Sequence, residues 1–269
     1  MSPIFDNLKE VVMFDPSKFT VPKAKPLPVI FLIDISGSMG EVIDETGMQE
    51  TGETVYDDGK LYRIVTGGVS RIQLVNDCCK KMIASFSASE KLETEIDVAI
   101  ITFGAETKIH QKLQPASSIQ WTDMEASGET PLGQALSIAK NMIEDRDQVP
   151  GRAYRPAVIL ISDGRPDSGW ENPLADFIGN GRSAKCDRMA MGIGDDADIN
   201  VLSKFIEGTG HQVFSADDAD KIQEFFKFVT MSVTTRSLSK NPNLVNTQQP
   251  SLDGASISNA STDEDDSYF

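Results

Sequence analysis

Three oxygen side chains at alternate positions, Asp34, Ser36 and Ser38, close the stretch PLPVIFLIDISGSMG at residues 26–40. Two more oxygen groups stand in comparable settings: Thr130 in SGETPLGQAL, and Asp163 in AVILISDGRPD. Two carboxylates and three hydroxyls, with no imidazole or thiolate, make a hard donor set. Such a set suits Mg²⁺, or Mn²⁺, better than Zn²⁺ or Cu²⁺. Mg²⁺ wants octahedral coordination and holds its water tightly, so some of these side chains must act through water. A coordination position is then left for a ligand from outside. The rival reading is a Mg²⁺-dependent hydrolase or phosphoryl-transfer enzyme on the same residues. It needs a second carboxylate near the nucleophile, where this chain has Ser36 and Ser38. DISGSM is not the G-x-S-x-G elbow of hydrolases, and neither His110 nor His211 falls in a strand-end loop of the cluster. Binding without catalysis is the expected activity.

The elements that must position these residues follow from hydrophobic patterning. Val29 to Ile33 is an apolar run ending at Asp34, and Ala157 to Ile161 is an all-apolar run ending at Ser162-Asp163. Runs of this kind read as strands buried on both faces of a parallel sheet. Thr130 is placed for an N-cap, with Pro131 at the first helical position. Other strands are expected at Ile96–Phe103, Thr107–Leu113, Cys186–Ile193 and His211–Phe214. Helices are expected from Ser70, which forms a capping box with Gln73, from Asn172-Pro173, from Asp198, and from Ser215 with Asp218. Strands alternating with helices predict an α/β fold: a doubly wound, mostly parallel sheet with helices on both faces and one antiparallel edge strand. Ligands of such sheets bind at the carboxyl ends of the strands, where Asp34, Thr130 and Asp163 fall.

An N-terminal arm at residues 1–25 precedes the domain at 26–236, and a disordered, acidic tail follows at 237–269. Residues 41–68 form an unusually long link between the first strand and the first long helix. Asp58-Gly59 lies there between two β-prone runs and predicts a β-hairpin over residues 54–65. The hairpin reads as a family decoration or as a wall beside the cation loop. Asp167 reads as a turn carboxylate or, alternatively, as a residue supporting the site's ligands. Asp195, Asp196 and Asp198 read as helix-start acids favoured by the dipole.

The net charge of -16 makes nucleic acid and anionic membrane surfaces poor partners. No stretch reads as a signal peptide or a membrane span. The three cysteines, Cys78, Cys79 and Cys186, are expected as buried free thiols, in keeping with a cytoplasmic setting.

The set Asp34-x-Ser36-x-Ser38, Thr130 and Asp163 resembles the metal-ion-dependent adhesion site (MIDAS) of von Willebrand factor A (VWA) domains, over roughly residues 26 to 235. Within that family, ETPLGQAL, LISDGRPD and MGIGDDADINVL look most like the bacterial cytoplasmic TerY-like proteins of tellurite-resistance and stress operons. The long insert departs from their compact pattern. The resemblance implies a VWA/Rossmann-like fold and a non-enzymatic adaptor. A Glu or Asp of a partner protein would fill the metal's open position. A kinase, a phosphatase or an AAA+ ATPase is the kind of partner implied. The tail DEDDSYF resembles the acidic, phenylalanine-ended tips of single-strand-binding proteins.

Overall fold

The computed structural model describes residues 24–57, 60–89 and 94–245. The apolar run near the start forms β1, Lys25–Asp34. Four short strands of the insert follow: β2 (Val42–Asp44), β3 (Gln49–Asp57), β4 (Lys60–Thr66) and β5 (Val69–Ser70). Helix α1 is Arg71–Ser89, then come β6 (Thr94–Phe103), β7 (Lys108–Pro115) and α2 (Leu132–Glu144). The rest is β8 (Ala157–Ser162), α3 (Glu171–Gly179), β9 (Asp187–Ile193), α4 (Ile199–Phe205), β10 (Phe214–Ala216) and α5 (Ala219–Leu238).

Six of the strands form one sheet in the order β10-β9-β8-β1-β6-β7. Every pairing is parallel except β6 with β7, which is antiparallel at the edge. β1 is central, so its side chains alternate between two cores. Leu27, Val29, Phe31 and Ile33 pack with α1 and α5. Ile30 and Leu32 pack with α2, α3 and α4 on the other face. That explains a strand with no polar break: both faces are covered. The expected mostly parallel, doubly wound α/β architecture is the one observed.

Local signals set most helix starts. In the capping box of α1, the Ser70 amide donates to Gln73 Oε1 at 2.9 Å and the Gln73 amide to Ser70 Oγ at 3.3 Å. Asp198 accepts from the amides of Asn200 and Val201, and Asp218 from that of Lys221. Other expectations shift. Pro131, not Thr130, holds the N-cap position of α2 and makes no side-chain cap. Thr130 is instead tied through its backbone to Asp167. Helix α3 begins at Glu171, so Asn172 and Pro173 lie in its first turn rather than ahead of it. The last strand is Phe214–Ala216 rather than His211–Phe214, because His211 is drawn into a buried polar cluster. Ser215 is therefore a strand residue and leaves the cap to Asp218. The expected tail boundary at 237 also moves: α5 runs to Leu238, and the turn after it packs on the domain. The N-terminal arm to residue 23, the Asp58-Gly59 turn and the acidic DEDDSYF tail lie outside the described residues.

The cluster holding His211 sits at the amino end of β9, opposite the strand ends that carry Asp34 and Asp163. Asp187 Oδ1 lies 2.8 Å from His211 Nε2, and its Oδ2 accepts from Arg236 Nη1 at 3.3 Å. Arg236 Nε donates to the Pro242 carbonyl at 2.9 Å, and the Arg155 amide donates to Asn243 Oδ1 at 2.8 Å. Asp187, His211 and Arg236 are all buried. One carboxylate thus joins β9, the segment before β10 and α5, and Arg236 carries the link on to the chain leaving α5.

The insert builds an arm rather than a loop. At its neck the Arg71 amide donates to the Glu41 carbonyl at 3.0 Å, and β2 pairs with β5. At Gly67 (φ +82°) a Cβ would lie 2.3 Å from the Gly47 carbonyl oxygen, so only glycine lets the two backbones pass this closely. Beyond that point β3 and β4 pair antiparallel, with Tyr56 opposite Leu61 and Thr54 opposite Arg63. Among the described residues they form a sheet with no third strand. Val55, Tyr56, Leu61 and Ile64 are exposed there.

Candidate functional site

β1 and β8 are adjacent and parallel, with Ile33 level with Ile161. Their carboxyl ends therefore set Asp34 beside the Ser162-Asp163 loop. Asp34 is fully buried, yet both of its oxygens are engaged. Oδ1 accepts from the Ser36 amide at 2.8 Å, and Oδ2 accepts from the Ser162 hydroxyl at 2.6 Å. The hydroxyls of Ser36 and Ser38 are 3.1 Å apart, and Ser38 Oγ donates to Asp163 Oδ1 at 2.9 Å. Asp34, Ser36, Ser38 and Asp163 are thus linked through one short chain of polar contacts, although 125 residues separate the last two.

Thr130 is brought in by its own loop. The Gly37 amide donates to the Gly128 carbonyl at 2.9 Å, and the Ser127 amide to the Ile35 carbonyl at 2.6 Å. Gly128 has φ +81°, and a Cβ there would lie 2.3 Å from the Ala105 backbone, so the crossing demands glycine. Thr130 itself is buried. Its amide donates to Asp167 Oδ1 at 3.2 Å, and the Asp167 amide donates back to its carbonyl at 3.0 Å. Its hydroxyl is 3.9 Å from where a Cβ of Gly164 would sit, so it faces the loop that carries Asp163. All five residues expected from the sequence meet at one end of the sheet. Of the two readings of Asp167, the structure favours the supporting one: it braces Thr130.

Two further residues belong to the site: Ser162, which the sequence reads as orienting the Asp163 loop, and Arg71, which is not among the residues expected from the sequence. Ser162 donates straight to Asp34. Arg71, the first residue of α1, places Nη1 2.8 Å from Asp163 Oδ2 and Nη2 3.0 Å from Glu41 Oε2. A cation at a helix amino terminus opposes the dipole, and that was the signal available.

Burial raises the Asp34 carboxyl from its ordinary 3.8 to about 6, against the lowering effect of the Ser162 and Ser36 hydrogen bonds; the Asp163 charge adds to the rise. Among the described residues no cationic side chain pairs with Asp34 in compensation. A bound cation would offset that cost. Among the described residues no three His, Cys, Asp or Glu side chains cluster as a metal site. A cation at this point therefore relies on the hydroxyls together with the carboxylates, which favours a hard ion. The thiols take no part. Cys78, Cys79 and Cys186 are buried and free, and burial pushes Cys78 up to about 11 and Cys186 to about 12.

Asp195 and Asp196 are exposed, and Asp198 caps α4 as expected. His211 belongs to the opposite end of the sheet. His110 Nε2 lies 2.8 Å from the Thr122 carbonyl on the edge strand.

The family model of the von Willebrand factor type A domain matches residues 64–228. That span holds Thr130 and Asp163; the insert separates it from Asp34, Ser36 and Ser38. The chain is 30% identical over 106 residues to human inter-alpha-trypsin inhibitor heavy chain H6, a match covering 36% of this chain and 8% of that protein. Among solved structures, it resembles the PilB minor pilin from Streptococcus sanguinis (TM-score 0.53, 15% identity, 81% of this chain and 64% of that one). It also resembles a von Willebrand factor type A protein from Catenulispora acidiphila (0.50, 18%, 78% and 42%). A third is proximal thread matrix protein 1 from the mussel byssus, with a zinc-occupied MIDAS motif (0.50, 15%, 77% and 48%). The chain thus spans less than two thirds of each relative's length.

Proposed function

Because the chain belongs to the von Willebrand factor type A domain family, whose members are metal-dependent protein-interaction modules, we propose that it captures a partner protein through a divalent cation. Asp34, Ser36, Ser38, Thr130 and Asp163 hold the ion, Mg²⁺ or Mn²⁺. An acidic side chain of the partner completes its coordination. One observation carries the reading. Four donors from two distant segments, Asp34, Ser36, Ser38 and Asp163, converge on one strand-end loop pair, with both carboxylates oriented by hydroxyl donors. Once bound, the ion supplies Lewis acidity toward a carboxylate. The protein's own part is to fix the donors, hold Asp34 ionised in a buried place and shape the approach.

The chain binds and does not turn over a substrate. The serines of the site have no histidine base beside them: His211 is committed to Asp187, and His110 lies against the Thr122 carbonyl. No helix among the described residues is long and apolar enough to cross a membrane. The resemblance of ETPLGQAL, LISDGRPD and MGIGDDADINVL to TerY-like proteins supports an adaptor in a cytoplasmic bacterial stress or defence complex. A kinase, a phosphatase or an AAA+ ATPase is the class of partner to expect.

The arm adds a second contact. It rises from Glu41, three residues beyond Ser38, and presents Tyr56 and Leu61 side by side on one face. A lone two-stranded hairpin is marginal in water, so a partner surface covering that face would stabilise it. Partner recovery should need the divalent ion and vanish with chelator. Removing residues 48–66 and joining Gly47 to Gly67, whose backbones already touch, should weaken recovery while leaving ion binding unchanged. Recovery that ignores both chelator and arm removal would refute this account of partner capture.

A further inference from the structure

Arg71 is an odd residue to find where it is. The start of α1 favours anions, yet it carries a guanidinium whose side chain is only 15% exposed. Nη1 holds Asp163 Oδ2 at 2.8 Å and Nη2 holds Glu41 Oε2 at 3.0 Å, while Nε is buried without a hydrogen-bond partner. The other Asp163 oxygen accepts from Ser38 at 2.9 Å. Asp163 is therefore shared between the Ser38 hydroxyl and a fixed cation. A helix seeking only stability would not place an arginine there.

We propose that Arg71 sets the site's requirement for an anionic ligand. This rests on the metal reading above. Asp34 and Asp163 together balance the charge of one divalent ion. Arg71 adds a further positive charge beside them, paired with Asp163 itself and with Glu41. Glu41 offsets little of it, because its side chain is 64% exposed and water screens the pair. The ion is consequently held weakly by the protein alone and tightly once an outside carboxylate joins. By reciprocity, the bound ion tightens the carboxylate by the same factor. Arg71 touches Asp163 and does not need to touch the ion; it acts by charge and by orienting Asp163. The chemical class selected is a monoanionic carboxylate, such as a Glu or Asp side chain, over neutral oxygen ligands.

The test measures Mn²⁺ binding by the electron paramagnetic resonance of the free ion, with and without acetate as the probe, at constant ionic strength. Wild type should bind Mn²⁺ roughly tenfold tighter with acetate present. Arg71→Met keeps the stem but loses the charge. It should bind Mn²⁺ alone roughly tenfold tighter than wild type and lose the acetate effect. Arg71→Lys should behave like wild type. A structural brace would give the opposite pattern: Arg71→Met weakened for Mn²⁺ with the acetate effect intact, which would overturn the proposal. Failure of the metal reading itself would look different, as no Mn²⁺ binding in any of the three proteins.

Discussion

Asp34→Asn should abolish divalent-ion binding and at the same time make the metal-free protein more stable, by about 3 kcal/mol at neutral pH. Burial drives the Asp34 carboxyl up to about 6, so the ionised form is held against its preference. Asparagine keeps the shape. Its carbonyl can take the Ser36 amide, and its amide group can meet the Ser162 hydroxyl turned to accept. The charge is lost, and with it both the burial cost and the strongest ligand. The pH dependence follows in sign. A carboxyl whose folded value lies above its unfolded one binds its proton more readily in the fold, so its contribution is complete below the unfolded value and is lost as pH rises through the folded one. Metal-free wild type should therefore lose stability between about pH 4 and pH 6 relative to Asp34→Asn. The two should converge below pH 4 and differ fully above pH 6. Chemical denaturation across this range, in chelator, measures the difference. Equal stability at pH 7.5 would show that Asp34 is not held at a cost. A saturating ion should reverse the ranking for wild type only.

Asp187→Ala should be the most damaging substitution far from the site, costing about 3–5 kcal/mol. The residue answers both the buried Arg236 guanidinium and His211. Removing it strands a charge in a dry place, which costs more than the pair itself contributes. Arg236 also carries the Pro242 contact, so the segment after α5 should loosen with it. Urea unfolding of the variant, with amide exchange over residues 236–244, would test this. A loss below about 1 kcal/mol, the usual size of a surface pair, would contradict the role assigned to the cluster. Metal affinity should be unchanged in any variant population that remains folded, since the cluster lies at the other end of the sheet.

The sheet was readable because its strands declare themselves. VIFLI and AVILI are apolar on consecutive positions, and only strands covered on both faces look like that. The site was readable because its donors sit at the ends of those runs, so finding the strands also found the ligands. Arg71 and Asp167 were harder. Each acts across a gap of more than thirty residues, Arg71 on Asp163 and Asp167 on Thr130, and no local pattern records such a pairing. Thr130 misled for a related reason. Thr-Pro ahead of an apolar stripe reads as a cap, but tertiary contacts with Asp167 and the Asp163 loop claimed the residue and left the cap position to Pro131. In the sequence His211 reads as strand because its neighbours are β-prone. Its buried pairing with Asp187 delayed the strand to Phe214. The arm was legible as a hairpin, though β3 extends further toward the neck than residue 54, through an irregular register between Glu50 and Thr54.

The central claim is that the converged oxygens hold a divalent ion. Isothermal titration of Mg²⁺ or Mn²⁺ into wild type and into Asp163→Ala addresses it directly. The account predicts a saturable single-site isotherm for wild type and its loss in the variant, with the fold of both verified by circular dichroism. Superimposable titrations of the two proteins would contradict it.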